Sequence, residues 1–337
     1  MDWRTGSAGW EFDSGGDPAP GPRDLQLRRH MTWHAATDFL GASVRNATPL
    51  LLAALGETVA ERSGVINVGL EGAIIAGCFA GLVGGTAFGA EAGFAIAGLA
   101  GLAIAAVFAI VAIALAADQI ITGTAITMLG LGLTSTLYRV IYGESGVALI
   151  APTLAPIGIP ILRDLPLVGT PLFNQPLPTY FAALLVPAIW WWLYRTQSGL
   201  SLRATGENPE AALSSGISPR RVQAMGALFG GLCGGLAGGA LVLAQVGTFA
   251  EGMSAGRGFV AIAIVALGRW HPVGAAIAAL AFGMASALQF VFQSLELDLP
   301  YQLILALPYA LTLIALAFTT GRYRPPLSLG RRIGPTS

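Results

Sequence analysis

Residues 92–117, 119–138, 177–194, 222–250, 272–295 and 299–321 contain no Asp, Glu, Lys or Arg. A helix rises about 1.5 Å per residue, and roughly 20 apolar residues cross a hydrocarbon core about 30 Å thick. Each of the six runs therefore has the composition of a transmembrane helix and close to the required length. The rest of the chain does little to offset them. Only 11% of its residues are charged and its mean hydropathy is +0.68, whereas a soluble domain carries about 25% charged residues. A surface this poor in charge is solvated by lipid.

Three further segments are apolar but interrupted. Residues 39–57 carry Arg45, residues 65–85 carry Asn67 and Glu71, and residues 251–270 carry Arg257 ahead of a short run at 259–268. The sequence thus predicts an all-α integral membrane protein of about 8–10 transmembrane helices, with a broken or re-entrant helix near residues 64–85. The membrane domain spans 37–321, and residues 322–337 form a tail. Residues 1–36 are polar, Gly/Pro-rich and without helical periodicity, which predicts a disordered extension. Met31 is a second candidate start within it, and the extension enters no functional argument.

Arginine places the loops. The 195–221 loop holds Arg195, Arg203, Arg220 and Arg221, and the tail holds Arg322, Arg324, Arg331 and Arg332, so both are expected to be cytoplasmic. Counting crossings back from them puts the proline-rich 143–176 loop and the junction near Glu251 outside, and residues 57–63 inside. The same count puts the N-terminus outside, while Arg28 and Arg29 argue for the inside, so its side stays open.

Polar groups within apolar runs are the functional candidates, because a charge at the bilayer centre costs about 2.5–3.5 kcal/mol on insertion scales. Asn67 and Glu71 stand four apart in GVINVGLEG, on one face if the segment is helical. They either line a translocation path at a helix break or lock neighbouring helices together. Gln245, Glu251 and Arg257 fall at the junction of two apolar segments, where Arg257 offers forked donors to a ligand or pairs with Glu251. In GALFGGLCGGLAGGA, Gly230, Gly234 and Gly238 form one stripe, and Gly231, Gly235 and Gly239 the next. Such stripes let helix backbones approach closely in lipid. Between Arg203 and Arg220, Asn208-Pro209 starts a short helix that Gly216 ends, and Ser218-Pro219 starts the next. That short helix reads as a docking element or as a solvated loop.

Several chemistries are excluded. All 18 basic residues are Arg. A Walker A phosphate loop requires a Lys, so ATP must be hydrolysed by another polypeptide if it drives this protein. His30, His34 and His271 lack metal-ligand spacing, Cys78 and Cys233 sit in apolar Gly/Ala-rich stretches, and Asp118 has no evident partner. No catalytic site, metal site or cofactor is expected. Zero net charge argues against a nucleic-acid partner.

ATPLLLAALGETVAERSGVINVGLEG (47–72), RATGENPEAALSSGI (203–217) and AQVGTFAEGMSAGRGFVAIAIVALGRWHPVGA (244–275) resemble the membrane permeases of ABC importers for nucleosides and simple sugars. The broader family includes ribose-type and branched-chain amino-acid permeases. The resemblance implies a transport subunit of the bacterial inner membrane, powered by a separate ATPase that binds the ATP. It implies a second permease protomer, usually a different chain in this branch, and an extracytoplasmic substrate-binding lipoprotein. It assigns Gly206, Glu207, Asn208, Pro209, Ala211, Ala212 and Gly216 to a coupling helix that docks on the ATPase, and the segment of Asn67 and Glu71 to the translocation path. A stand-alone secondary transporter or channel is the competing expectation, with Glu71 as its coupling acid.

Overall fold

A computed structural model describes residues 22–143, 151–165, 168–294 and 325–331, with the isolated positions 302, 306 and 310. The chain opens with α1 (Pro22–Arg62), α2 (Leu70–Phe88) and α3 (Ala90–Phe108), the last prolonged by a π-helical turn, Ala109–Ala114. After α4 (Gln119–Tyr142) come two short antiparallel strands, β1 (Ile157–Gly158) and β2 (Asn174–Gln175), with α5 (Gly169–Phe173) between them. Next are α6 (Leu177–Arg195), α7 (Gln197–Glu207) and α8 (Pro209–Ser214). Then α9 (Pro219–Leu241) runs into a second π-helical turn, Val242–Val246, and α10 (Arg257–Leu267) and α11 (Pro272–Ser294) follow.

Among the described residues, six helices are long and apolar enough to cross a membrane: α2, α3 and α9 with their π-helical extensions, α4, α6 and α11. α10 is too short to cross by itself. Residues 22–36, expected to lack regular structure, form the first turns of α1 instead. The apolar run at 299–321 lies outside the described residues apart from the three isolated positions.

α9 stands at the centre. Its small residues leave no side chain between backbones, and each glycine stripe meets its own partner. Gly230 faces Gly56 and Ala60 of α1, while Gly234 and Gly238 face Leu70, Ala73 and Ile74 of α2. Gly231, Gly235 and Gly239 turn to α3, against Ala105, Gly101, Ala97 and Phe94. In lipid there is no hydrophobic gain from bringing helices together, so this contact surface supplies the attraction.

The helix ends sort into two groups. At one, the Arg62 Nε–H donates to the Trp270 carbonyl (2.8 Å) and the Ser328 N–H to the Gly206 carbonyl (2.9 Å), while the Ile66 N–H donates to Gln119 Oε1 (2.9 Å). At the other, Arg139 meets Glu251, and the Ala151 N–H donates to the Gly247 carbonyl (2.8 Å). The first group also holds Arg195, Arg203, Arg220 and Arg221 and is therefore cytoplasmic. This grouping matches the crossing count. Asp118, without a partner on sequence grounds, caps α4 at the cytoplasmic end, its Oδ1 accepting from the N–H groups of Ile120 and Ile121 at 3.0 Å.

The packing of α9 separates two substitutions of equal size. A Cβ at position 230 meets Ala60 Cβ at 3.5 Å, an ordinary contact, whereas a Cβ at position 235 falls on the Ala97 carbonyl oxygen. Gly230→Ala is expected to give monodisperse protein in detergent at normal yield. Gly235→Ala is expected to lower the melting temperature sharply or to aggregate on size exclusion; equal behaviour of the two would contradict this packing.

Candidate functional site: a cavity between two broken helices

Two non-helical stretches of the described residues hold the polar groups singled out in the sequence, and the cavity adjoins the second. The first is 63–69. The sequence placed an interrupted helix over 65–85, but the interruption is confined to the residues before Leu70, and α2 is regular from there on. Gly64 turns the chain with φ +94°. Buried side chains then satisfy the extended backbone: the Asn67 N–H donates to Glu57 Oε1 (3.0 Å), and Thr127 Oγ1 donates to the Val68 carbonyl (3.1 Å). These bonds are needed because an unpaired peptide group in hydrocarbon costs several kcal/mol. Asn67 therefore precedes the helix that carries Glu71, and the two do not share a helical face.

The second stretch, 247–256, leads back into the protein to the start of α10. Glu71 is 4% exposed, and both its oxygens accept backbone hydrogens there, Oε1 from Gly256 (2.7 Å) and Oε2 from Gly258 (2.5 Å). A helix N-terminus carries free N–H groups and a positive dipole end. Glu71 satisfies both and fastens α10 to α2. Gly258 has to be glycine for this approach, since a Cβ would lie 2.6 Å from the Glu71 nitrogen.

Arg257 opens α10. Its Nη1 donates to the carbonyls of Met253 (2.8 Å) and Ser254 (3.1 Å). The expected pairing with Glu251 does not occur. Glu251 is held instead by the Arg139 guanidinium through two hydrogen bonds, at 2.7 and 2.9 Å. Arg139 ends α4 at the same membrane face, a proximity that sequence spacing gives no sign of. These bonds, with the Arg139 charge, hold the Glu251 carboxyl below its ordinary range.

Gln245 and Arg257 line one cavity of about 510 Å³. Its other polar walls are Asn46, Ser286 and Gln289; Leu50, Leu241, Val260, Phe282 and Phe290 supply much of the apolar surface. Gln245 sits in the π-helical turn after α9, and its Nε2 donates to the Arg45 carbonyl at 2.5 Å. A smaller cavity of about 220 Å³ opens on the far side of that contact, among Arg45, Thr37, Asn174, Gln175 and Ala244. Asn67 and Glu71 are not among the described lining residues, although Glu71 holds Gly256 and Gly258 on either side of Arg257, and Glu251 lies at the exposed end of the junction. Sequence reasoning missed Asn46, Phe282, Ser286, Gln289 and Phe290. The α11 set recurs at i, i+4, i+7 and i+8, which is one helical stripe and was a readable signal.

The cavity's chemistry is selective. Among the described residues it offers amide and hydroxyl groups, one guanidinium and two phenyl rings, and no carboxylate. A cation would find no counter-charge there, whereas a neutral ligand with hydrogen-bonding edges and a flat apolar face would find both kinds of partner.

The residues that the resemblance assigns to a coupling helix stand at the same end as Arg195, Arg203, Arg220 and Arg221. Asn208 caps α8, its Oδ1 accepting from the Ala211 N–H at 3.0 Å. Gly206 and Ala212 are buried, with Gly206 close-packed on the Arg62 carbonyl. Glu207, Asn208, Ala211, Leu213 and Gly216 are exposed, and Pro209 is half-buried. α8 is thus a rooted helix that presents a mixed polar and apolar surface to the cytoplasm.

Residues 39–316 match the family model described as branched-chain amino acid transport system / permease component. The guanosine ABC transporter permease protein NupQ of Bacillus subtilis (strain 168) is 38% identical over 302 residues, covering 86% of this chain and 94% of its own length. The putative glucose ABC transporter permease protein TsgC13 of Haloferax volcanii is 38% identical over 265 residues, covering 78% of this chain and 80% of its own. The nucleoside ABC transporter permease protein NupC of Lactococcus lactis subsp. cremoris is 31% identical over 294 residues, covering 84% of this chain and 92% of its own. No solved structure matches the chain with significance.

Glu71→Ala strands two buried N–H donors at the start of α10, a loss on the order of 3 kcal/mol. A clear drop in the detergent melting temperature is expected, with Glu71→Gln in between. An unchanged melting curve for Glu71→Ala would remove Glu71 from this capping role.

Proposed function

Since the chain belongs to the branched-chain amino acid transport system / permease component family, and is the plasma-membrane permease of an ABC importer rather than a catalyst, we propose that its cargo is a nucleoside. Family membership sets aside the stand-alone secondary transporter. It also implies an ATPase subunit and a substrate-binding protein as partners. The observation that carries the cargo reading is the main cavity, where Asn46, Gln245, Ser286 and Gln289 stand beside Phe282 and Phe290, with no carboxylate among the described lining residues. Amides suit the hydrogen-bonding edge of a base, the phenyl rings suit its face, and ribose hydroxyls meet the remaining polar groups. The relatives named for guanosine and for nucleosides support the same reading. A simple sugar is the second reading, favoured by the relative named for glucose.

In this proposal the binding protein, a lipoprotein, releases ligand at the outer end near Glu251 and the β1–β2 region. The ligand passes to the cavity beside Gln245 and Arg257. α8 seats on the ATPase through Glu207, Asn208, Pro209, Ala211 and Gly216, while buried Gly206 and Ala212 transmit its displacement to the membrane helices. Closure of the ATPase pair on ATP then shifts the helices around the cavity and changes the side to which it opens. A second permease, a different chain, completes the pathway.

Uptake of labelled guanosine, uridine and glucose in cells carrying the full transporter, with its ATPase intact or catalytically dead, tests the cargo. ATPase-dependent uptake of the nucleosides alone is the expected outcome, and ATPase-dependent uptake of glucose alone would replace this reading with the sugar. Glu207→Arg and Leu213→Arg are expected to reduce uptake to background at normal membrane expression. Normal uptake by both would remove α8 from the docking role.

A further inference from the structure

The C-terminal residues were expected to form a cytoplasmic tail, and the described part, 325–331, is built into the fold. Ser328 is 2% exposed and Pro326 is buried. The segment is folded on itself, with the Leu329 N–H on the Pro326 carbonyl and the Arg331 N–H on the Ser328 carbonyl, both at 3.0 Å. Leu329 packs against the main hydrophobic core.

Its two sides grip different elements. On one side is the end of α7, whose last carbonyls have no partner within the helix. The Ser328 hydroxyl donates to the Gly206 carbonyl (2.6 Å) and is within reach of that of Thr205 (3.2 Å), and the Ser328 N–H donates to Gly206 as well (2.9 Å). On the other side the Gly330 N–H donates to the Gly64 carbonyl at 3.0 Å. The fit is tight, since a Cβ on Gly64 would come within 2.6 Å of Ser328 Oγ.

We propose that segment 325–331 is a strut that transmits displacement of α8 to the cavity, with Ser328 as its positioning residue. The route is short. Gly206 immediately precedes the α8 start at Glu207-Asn208, Ser328 holds Gly206, and Gly330 holds Gly64. Gly64 opens the break, and Glu71 stands in the first turn of α2 just beyond it. Glu71 holds the first turn of α10, where Arg257 lines the cavity. A second contact, Gly206 on the Arg62 carbonyl, sets the spacing but supplies no hydrogen bond through a side chain. The strut rests on the reading of α8 as the ATPase-docking element; it does not depend on which solute is carried.

The test compares Ser328→Ala with wild type in the complete transporter, comprising this chain, its partner permease, the ATPase and the binding protein, reconstituted in liposomes. ATP hydrolysed per solute transported is the readout, beside melting temperature and ATPase co-purification. Ser328→Ala should raise that ratio about fivefold, the shift in an equilibrium that one net hydrogen bond allows, at unchanged co-purification and melting temperature. Leu327→Ser, on the exposed side of the same turn, should leave it unchanged. A ratio unaltered by Ser328→Ala, or uptake lost only in step with assembly or melting temperature, would overturn the strut and leave an anchoring role. The α8 reading is scored separately: Leu213→Arg should abolish ATPase co-purification, and its failure to do so would sink the docking assignment whatever Ser328 shows.

Discussion

A peptide group that leaves the helix inside a bilayer has no water to bond to, and this chain leaves the helix beside its spans at 63–69 and at 247–256. Much of the polar chemistry between its helices answers that constraint. Glu57, Gln119 and Thr127 serve the first break, and Glu71 serves the second. The expense of burying these groups is offset because each replaces an unpaired backbone donor or acceptor.

The glycines of α9 supply the complementary condition. By drawing α1, α2 and α3 onto one axis without intervening side chains, they make a close-packed body with little room to deform. The cavity lies at the edge of that body, where the π-helical turn at Val242–Val246 alters the register and swings Gln245 toward α1. π-helical turns recur at functional positions because one extra residue per turn redirects a side chain without ending the helix.

The cytoplasmic end has its own network. The Trp270 indole N–H donates to Glu61, and Arg62 binds the Trp270 carbonyl. Tyr194 stacks on His271 and lies under Arg203. Burial, and then the charge of Arg62, hold the His271 imidazole below its ordinary range, so it is neutral at physiological pH and stacks without carrying charge. This network joins the ends of α1, α6 and α10 to α7, next to α8. Motion at α8 therefore meets a connected layer.

The sequence by itself determined the membrane class, most of the spans, and the positions of α8 and the α9 stripes. These follow from local properties: run length, Asn-Pro and Ser-Pro helix starts, and glycine spacing. It also drew attention to Gln245 and Arg257, because an amide and a charge stand out in apolar surroundings. The tertiary structure decided which polar groups meet. Glu251 pairs with Arg139 rather than Arg257, Asp118 caps α4, and Glu71 caps α10, in each case through distances that spacing along the chain does not encode. Asn46 and the polar stripe of α11 became cavity walls only once α1 and α11 were placed side by side. The 325–331 segment, Pro-Pro-Leu-Ser-Leu-Gly-Arg in sequence, became part of the fold because helix-end carbonyls without helical partners lay within its reach.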